Sequence, residues 1–422
     1  MADYVVGVRM KVPGRHTAEL ITIGDELLKG SVLNSNAKFL GRELTELGFD
    51  VKAQGSCPDE VEEICERIAT AISRSDLVIM SGGLGPTPDD VTRDGVAEFF
   101  QVPLVLSKTQ YNQITKYYAK RHKVVPELVR REALFPDNAV PLVNRHGIAL
   151  GFYIVCGSRM IVVLPGVPRE LEKMFAHRVK PLALRHFRRV KPKVPFVAKF
   201  VGISEPEIMQ KLGKGFFREK FEFGIYPHVG EVSIRIYAPR RATVARLKAM
   251  VRRRLGSSVY AYEDIKFPEA VGKLLTKSRK TLSAAESCSG GLLSSEITKV
   301  SGASKYFKGS IVSYTNAVKE DLLGVSPADL RRYGAVSDDV ALQMAEGVRR
   351  KLKTTYGIAI TGVAGPDGGT RKKPVGLVYI ALANGKRSRV WQHEFWGDRH
   401  QVQQKASMKA LEYLWRQLRR DA

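Results

Sequence analysis

The stretch DLVIMSGGLGPTPDD, residues 76–90, decides the fold of the N-terminal part of the chain. Its first five residues are mostly apolar, as in a strand buried on both faces, and a glycine-rich loop then leads into a helical pattern over Val91–Phe100. The same order of strand, loop and helix starts with a strand at Glu19–Ile23 and a helix at Asn34–Leu47. This alternation predicts an α/β domain built on a parallel sheet.

A chain of 422 residues is too long for one ordinary core, so we expect several domains. The periodicity predicts three: an α/β domain at 16–178, a small α+β linking domain at 179–264 and a C-terminal α/β domain at 265–422. The other predicted elements are strands at Phe49–Gln54, Ile161–Leu164, Phe196–Val201 and Glu231–Tyr237, and helices at Asp59–Ser73, Ala242–Leu255, near Pro268 and from Arg399 onward.

Two N-terminal loops follow predicted strands, at the sheet edge where open α/β folds bind ligands. Glycine N–H groups there would cradle a phosphate, and neighbouring carboxylates would hold Mg²⁺ or another divalent cation that bridges phosphate oxygens. The alternative for the carboxylates next to the helix is that they cap it. The predicted ligand-binding residues are Gly82, Gly83, Gly85, Thr87 and Gly166, and the predicted metal ligands are Asp25, Asp89 and Asp90.

The C-terminal part contains the sequence AESCSGG, residues 285–291, between a predicted strand at Thr281–Ala284 and a predicted helix at Leu292–Val300. A tight turn from strand to helix would expose the hydroxyl of Ser287. The N–H groups of the next residues would point outward and bind a phosphate or an oxyanion. These residues are Ser289, Gly290 and Gly291.

Serine is a weak nucleophile and needs a base, and no histidine motif accompanies Ser287. The sequence SYTNAVK, residues 313–319, supplies Lys319, which would be a base at neutral pH if burial or nearby positive charge lowers its pKa, with Tyr314 as a proton relay. Alternatively, the turn only ends a strand and the lysine is solvated. Cys288 is a second candidate nucleophile, but a cysteine packed in a turn is more often an inert small hydrophobe.

The net charge of +25 favours phosphate-bearing partners. Two stretches, His177–Pro195 and Pro239–Gly256, each carry seven Lys or Arg and no acid. They fit a nucleic-acid surface or a solvated basic face, and the scarcity of interleaved aromatics favours the solvated face. The four cysteines show no metal or disulfide pattern, and neither a signal peptide nor a membrane span is apparent. We therefore expect a cytoplasmic protein without membrane partners.

Together these motifs resemble the CinA family. The N-terminal domain is similar to the MoaB/MogA-type molybdopterin-binding fold, and the C-terminal domain is similar to the nicotinamide-nucleotide amidase PncC. The linking domain resembles a KH-type module but lacks its GxxG loop. The motifs are GDELLKG (24–30), NSN (34–36), SGGLGPT (81–87), LPGVP (164–168), ESCSGG (286–291), YTNAVK (314–319), GAVS (334–337), TGVAGPDGG (361–369), PVG (374–376) and GDR (397–399).

The resemblance implies that the C-terminal domain hydrolyses the carboxamide of nicotinamide mononucleotide (NMN) to nicotinic acid mononucleotide and ammonia. Ser287 and Lys319 would be catalytic, Gly362 and Gly365 would contact substrate, and Arg399 would bind its phosphate. An acyl-enzyme and a water activated by the lysine both remain open as mechanisms.

For the N-terminal domain the resemblance implies a metal-dependent ADP-ribose pyrophosphatase, and for the whole chain a homodimer. Three hypotheses therefore stand beside one another. The first is a bifunctional hydrolase of pyridine-nucleotide salvage. The second is an amidase whose N-terminal domain binds a pterin or nucleotide without turnover. The third is a nucleic-acid-associated protein.

Overall fold

A computed structural model describes residues 16–217 and 221–421. The chain divides into two compact units at residues 194 and 195. Val179, Ala183 and Phe187 lie beyond the expected boundary at 178/179 and are buried in the N-terminal core together with Leu20. The proposed linking domain and the C-terminal domain belong to one unit, so the expected division at 264/265 does not separate their contacts.

The N-terminal unit contains a six-stranded sheet with the order β2-β1-β3-β8-β7-β6. The first four strands in this order are parallel, as predicted. β7 pairs antiparallel with both β8 and β6, so the sheet is mixed. The strands are β1 (Thr17–Ile23), β2 (Asp50–Cys57), β3 (Leu77–Ser81), β4 (Leu104–Leu106), β5 (Leu134–Pro136), β6 (Val140–Leu142), β7 (Gly151–Cys156) and β8 (Arg159–Leu164). The helices are α1 (Asp25–Leu28), α2 (Ser35–Leu47), α3 (Val61–Arg74), α4 (Thr92–Phe100), α5 (Lys108–Ala119), α6 (Pro168–Met174) and α7 (Lys180–His186), with a 3-10 helix at Glu127–Ala133 and a π-helical turn at Phe175–Val179.

Both faces of this sheet are covered by helices, which explains the continuous apolar run of β3. Leu77 and Ile79 face the core formed with α2, α6 and α7. Val78 and Met80 face the core formed with α3 and α4. Because side chains alternate between the faces of a strand, most positions of such a strand are apolar. Because β1, β3 and β8 are parallel, their carboxyl ends lie at one edge of the sheet, where the loops carry the candidate ligand-binding residues.

The second unit begins with a small antiparallel sheet of order β10-β11-β9-β12. Its helices pack against one side of the sheet, around buried residues such as Phe200, Ile208 and Leu247. The elements are β9 (Val194–Val201), α8 (Glu205–Phe217, interrupted at Gly213), β10 (Glu222–His228), β11 (Glu231–Ala238), α9 (Arg241–Leu255) and β12 (Val259–Ala261).

The rest of the unit is a five-stranded sheet of order β14-β13-β15-β16-β17. Strands β14, β13 and β15 are parallel, and β16 pairs antiparallel with both β15 and β17. The strands are β13 (Leu282–Glu286), β14 (Phe307–Val312), β15 (Tyr356–Gly362), β16 (Leu377–Ala383) and β17 (Ser388–Glu394). The helices are α10 (Phe267–Lys277), α11 (Leu292–Thr298), α12 (Asn316–Leu323), α13 (Pro327–Tyr333), α14 (Asp338–Lys351) and α15 (Arg399–Arg420), with a 3-10 turn at Ala303–Lys305.

The last helix, α15, connects the two sheets of the second unit. A capping box of Asp398 and Gln401 begins it. Near its other end, Arg419 donates hydrogen bonds to the carbonyls of Gly256 and Ser257, after α9. No helix among the residues that the structure describes is long and apolar enough to cross a bilayer.

Candidate functional site

The structure brings Ser287 and Lys319 together at the carboxyl ends of β13 and β14. Ser287 directly follows β13, and its N–H donates to the carbonyl of Ile360 at 2.9 Å. Lys319 lies on α12, which begins just beyond β14. The distance from Lys319 Nζ to Ser287 Oγ is 3.2 Å. A nucleophile and a base at this distance form a dyad in the geometric sense.

Lys319 is fully buried and is not the solvated lysine of the alternative interpretation. Burial lowers the pKa of Lys319 below the 10.5 of an ordinary lysine. Its second hydrogen bond, of 2.6 Å, goes to the carbonyl of Ser313 and not to a carboxylate. The desolvated ammonium has no carboxylate partner in the described part of the chain, so the neutral amine that a base requires forms more readily than in a solvated lysine.

The glycines of the turn do not present free N–H groups, which corrects the sequence prediction. Gly290 N–H donates to the carbonyl of Ser287, and Gly291 N–H donates to the carboxylate of Glu286. Both glycines have positive φ, of 62° and 97°, and therefore shape the turn. Sequence analysis assigned no role to Glu286, because nothing in the pattern shows that its side chain turns back toward the helix.

Ser289 remains a candidate for contact with the reacting group. It is 2% exposed, and neither its N–H nor its hydroxyl has a hydrogen-bond partner among the residues described. Unpaired buried polar groups are costly and often mark a functional site. Cys288, by contrast, is buried, and burial raises the pKa of its thiol to about 12. A thiol with that pKa is not ionised at neutral pH, which favours Ser287 as the nucleophile.

Tyr314 contacts Arg399 and has no hydrogen bond to Lys319 within the described residues. Arg399 donates to the Tyr314 hydroxyl and to the carbonyl of Gly365, each at 2.7 Å. The guanidinium is thereby held between the loop after β14 and the loop after β15. Gly362 ends β15, where an added Cβ would lie 2.5 Å from the carbonyl of Leu377. Its small size is therefore required for packing against β16. Because Tyr314 is not hydrogen-bonded to Lys319 among the described residues, no proton path from Lys319 to Tyr314 is formed.

The N-terminal unit has a cavity of about 470 Å³ at the carboxyl ends of β1, β3 and β8. Asn36 connects two of its walls, because its amide donates to Ser81 Oγ at 3.0 Å and to the carbonyl of Gly166 at 2.7 Å. Gly82, Gly83, Gly85 and Gly166 all line the cavity, as predicted. Thr87 is not in the lining, and its N–H and hydroxyl donate to Asp90.

Of the glycine loop, Gly82 N–H is occupied, since it donates to the carbonyl of Leu164 at 3.2 Å. A Cβ at Gly82 would lie 2.2 Å from the carbonyl of Ile23, and its φ of 111° also requires glycine. The N–H groups of Gly83 and Gly85 have no acceptor in the part of the chain that the structure describes. These N–H groups are free to bind a ligand.

The three predicted metal ligands do not converge. Asp25 is outside the cavity lining, and its carboxylate pairs with Lys29 at 2.6 Å. No group of three or more metal-binding side chains is found within residues 16–217 and 221–421. Asp89 and Asp90 do line the cavity, and an ion chelated by a diphosphate needs only one or two protein carboxylates. This pair therefore fits such an ion, and Asp25 does not.

Sequence analysis missed Glu132, which lines the cavity and is 3% exposed. It has no side-chain hydrogen bond among the residues described, and burial raises its pKa to about 7. Arg93 lies nearby, 1% exposed, and donates to the carbonyls of Leu84 and Gly85. The cavity lining contains six carboxylates and, among the described residues, no basic side chain: Glu26, Asp59, Asp89, Asp90, Glu132 and Glu170.

Comparisons with known proteins define the class. Residues 19–185 match the model described as a probable molybdopterin binding domain, and residues 264–418 match that of the CinA C-terminal domain. The molecule thus joins a molybdopterin-binding-type domain to a CinA C-terminal domain.

Two relatives match along nearly the whole chain. The chain is 37% identical to a CinA-like protein of Kosmotoga olearia, over 95% of this chain and 98% of the relative. It is 40% identical to a CinA-like protein of Nostoc sp., over 95% and 99%. A solved CinA structure from Thermoplasma acidophilum is 34% identical and covers 40% of this chain and 98% of its own, with a TM-score of 0.37. The chain belongs to the CinA family.

Proposed function

We propose that the C-terminal region is a nicotinamide-nucleotide amidase that deamidates NMN. The observation that carries the proposal is the buried Lys319, whose Nζ lies 3.2 Å from Ser287 Oγ and whose pKa is lowered by burial. A neutral amine at that distance takes the hydroxyl proton as the oxygen attacks a carbonyl carbon.

In this mechanism Ser287 Oγ forms a bond to the carboxamide carbon, and the carbonyl π electrons move to oxygen. The N–H of Ser289 is the candidate donor to that oxyanion, in place of the two glycines. Lys319 then returns the proton to the departing nitrogen, and ammonia leaves as the carbonyl reforms. Water, deprotonated by Lys319, releases the acid and restores Ser287. The alternative is direct attack by a water that Lys319 activates, without an acyl-enzyme.

Arg399 would bind the substrate phosphate, and this role gives the site its preference for nucleotides over nucleosides. Two hydrogen bonds, to Tyr314 and Gly365, hold its guanidinium in place. A planar guanidinium fixed in this way suits bidentate contact with phosphate oxygens.

The test is incubation of the purified protein with NMN, without added metal, beside Ser287→Ala and Lys319→Ala. The proposal predicts equal amounts of ammonia and nicotinic acid mononucleotide from the parent and neither product from the variants. Products from Ser287→Ala would eliminate the acyl-enzyme and favour the activated water. A parent without products would refute the assignment of substrate.

The second proposal is that the N-terminal cavity cleaves the diphosphate of ADP-ribose. It is supported by the cavity of about 470 Å³, the two unoccupied glycine N–H groups and the adjacent Asp89 and Asp90. A divalent cation held by these aspartates would neutralise phosphate charge when bound. Cleavage that requires Mg²⁺ and is lost in Asp89→Ala would support turnover. Binding of the nucleotide without cleavage would favour a binding module.

The state of assembly and a nucleic-acid partner are tested separately. A homodimer would give twice the chain mass of 46.9 kDa in light scattering. The nucleic-acid alternative predicts DNA or RNA binding that weakens steeply as salt rises, whereas turnover in a pocket would change modestly.

A further inference from the structure

The turn that carries Ser287 includes a buried carboxylate, that of Glu286, which accepts hydrogen bonds from the same turn. Glu286 is the last residue of β13 and is fully buried. One carboxylate oxygen accepts the N–H groups of Gly291 and Leu293, both at 3.1 Å. The other oxygen accepts the N–H and the hydroxyl of Ser294. Four donors from one turn therefore meet a single carboxylate, which leaves this end of α11 without free donors for a substrate phosphate.

The main chain of Glu286 is connected to the base. Its carbonyl accepts the N–H of Ser313 at 2.8 Å, and the carbonyl of Ser313 accepts Lys319 Nζ at 2.6 Å. The side chain of Glu286 therefore fixes the turn that bears the nucleophile, and its backbone fixes the strand end that holds the lysine. A shift of about 1 Å between reacting groups is enough to lower a rate by about 100-fold.

We infer that Glu286 is the positioning residue of the dyad: its buried carboxylate, bonded to the first turn of α11, sets the distance between Ser287 Oγ and Lys319 Nζ. The inference rests on the proposed amidase function. It assigns Glu286 no proton transfer and no contact with substrate.

Glu286→Gln tests this assignment, because an amide has the same shape but one acceptor oxygen, so two of the four donors would face an NH₂ group. We expect kcat for NMN to fall by at least ~30-fold while KM changes by less than ~3-fold, since the substrate contacts are untouched. Ser294→Ala is the matched control, because it removes a single donor, and should lower kcat by less than ~5-fold. Glu286→Asp keeps the charge and should recover part of the lost rate.

Labelling of Ser287 by a fluorophosphonate separates this inference from the choice of substrate, with Ser287→Ala as the blank. If the parent is labelled but does not hydrolyse NMN, the proposed substrate is wrong. Slower labelling of Glu286→Gln than of the parent would then still support the positioning role. A folded Glu286→Gln with parental kcat and labelling rate, and only a lower melting temperature, would overturn it. A parent without labelling or turnover would refute both proposals. If Glu286→Gln does not fold, Glu286→Asp decides: a parental kcat and labelling rate would overturn the inference.

Discussion

Replacing Lys319 by methionine should change the pH dependence of stability in a defined direction. Methionine has nearly the length of lysine and no charge, so the fully buried site stays filled. The parent contains an amine whose pKa is lowered from 10.5 by burial. In the unfolded chain the same amine titrates at its ordinary value. Folded and unfolded states therefore bind different numbers of protons in the interval between the two pKa values.

The sign and size of the change in the free energy of unfolding follow from the interval between the two pKa values. Within it the unfolded parent binds one more proton, so the parent's free energy of unfolding rises with pH by about 1.4 kcal/mol per pH unit. Below the folded pKa both states are protonated, and the cost of the buried ammonium is complete and constant. Lys319→Met lacks this contribution. The free energy of unfolding of the variant minus that of the parent should thus be largest at low pH and decrease toward pH 10.5.

Tryptophan fluorescence can follow this unfolding, because Trp391, Trp396 and Trp415 all belong to the second unit. Urea titrations from pH 6 to 9.5 at constant ionic strength would give the difference between parent and Lys319→Met. The kcat/KM of the parent for NMN should rise over the same pH interval, because the neutral amine is the active form. A difference that stays constant with pH, beside a rate that rises only near pH 10.5, would refute the lowered pKa and the role as base.

Three further predictions concern the residues around the two sites. Tyr314→Phe removes the hydroxyl that holds Arg399, so KM for NMN should rise by about 3- to 10-fold with little change in kcat, and a loss of kcat at constant KM would instead support a proton relay. Cys288→Ser should retain amidase activity, and iodoacetamide should modify the parent's Cys288 slowly at pH 7.5, as measured by mass spectrometry, because the thiol pKa is about 12. Asp25→Asn should leave ADP-ribose cleavage near the parental rate while Asp89→Ala lowers it by about 10-fold or more, and equal losses would return Asp25 to the site.

The pairing of Ser287 with Lys319 was predictable because a serine nucleophile needs a base, although the strand β14 that precedes the lysine was not among the predicted strands. The burial of the lysine was not, since a helical lysine is usually solvated. The N–H groups of Gly290 and Gly291 show a second limit. A glycine-rich turn predicts an anion at the helix start, but the sequence does not show that the anion is the neighbouring Glu286.

The N-terminal unit shows the same limits. The apolar run Leu77–Met80 predicted β3 because that strand is buried on both faces, whereas β6 has only three residues and gives no pattern. Hydrophobic periodicity does not indicate the direction of a strand, so the antiparallel pairing of β7 with β8 was not predicted. Asp25 was grouped with Asp89 by residue type, but it lies outside the cavity lining and pairs with Lys29 four residues later on the same helix turn.

Helix α15 makes the proposed amidase site depend on distant packing. Its 22 residues span about 33 Å, with Arg399 at one end and the bonds from Arg419 to Gly256 and Ser257 near the other. A tilt of about 5° around the far end would carry the guanidinium by about 3 Å, well beyond the ~0.5 Å within which a functional group must be held. The segment between α9 and β12 is thus one of the contacts that set the direction of α15, and substitutions at Gly256 or Ser257 should alter recognition of the nucleotide without touching the dyad.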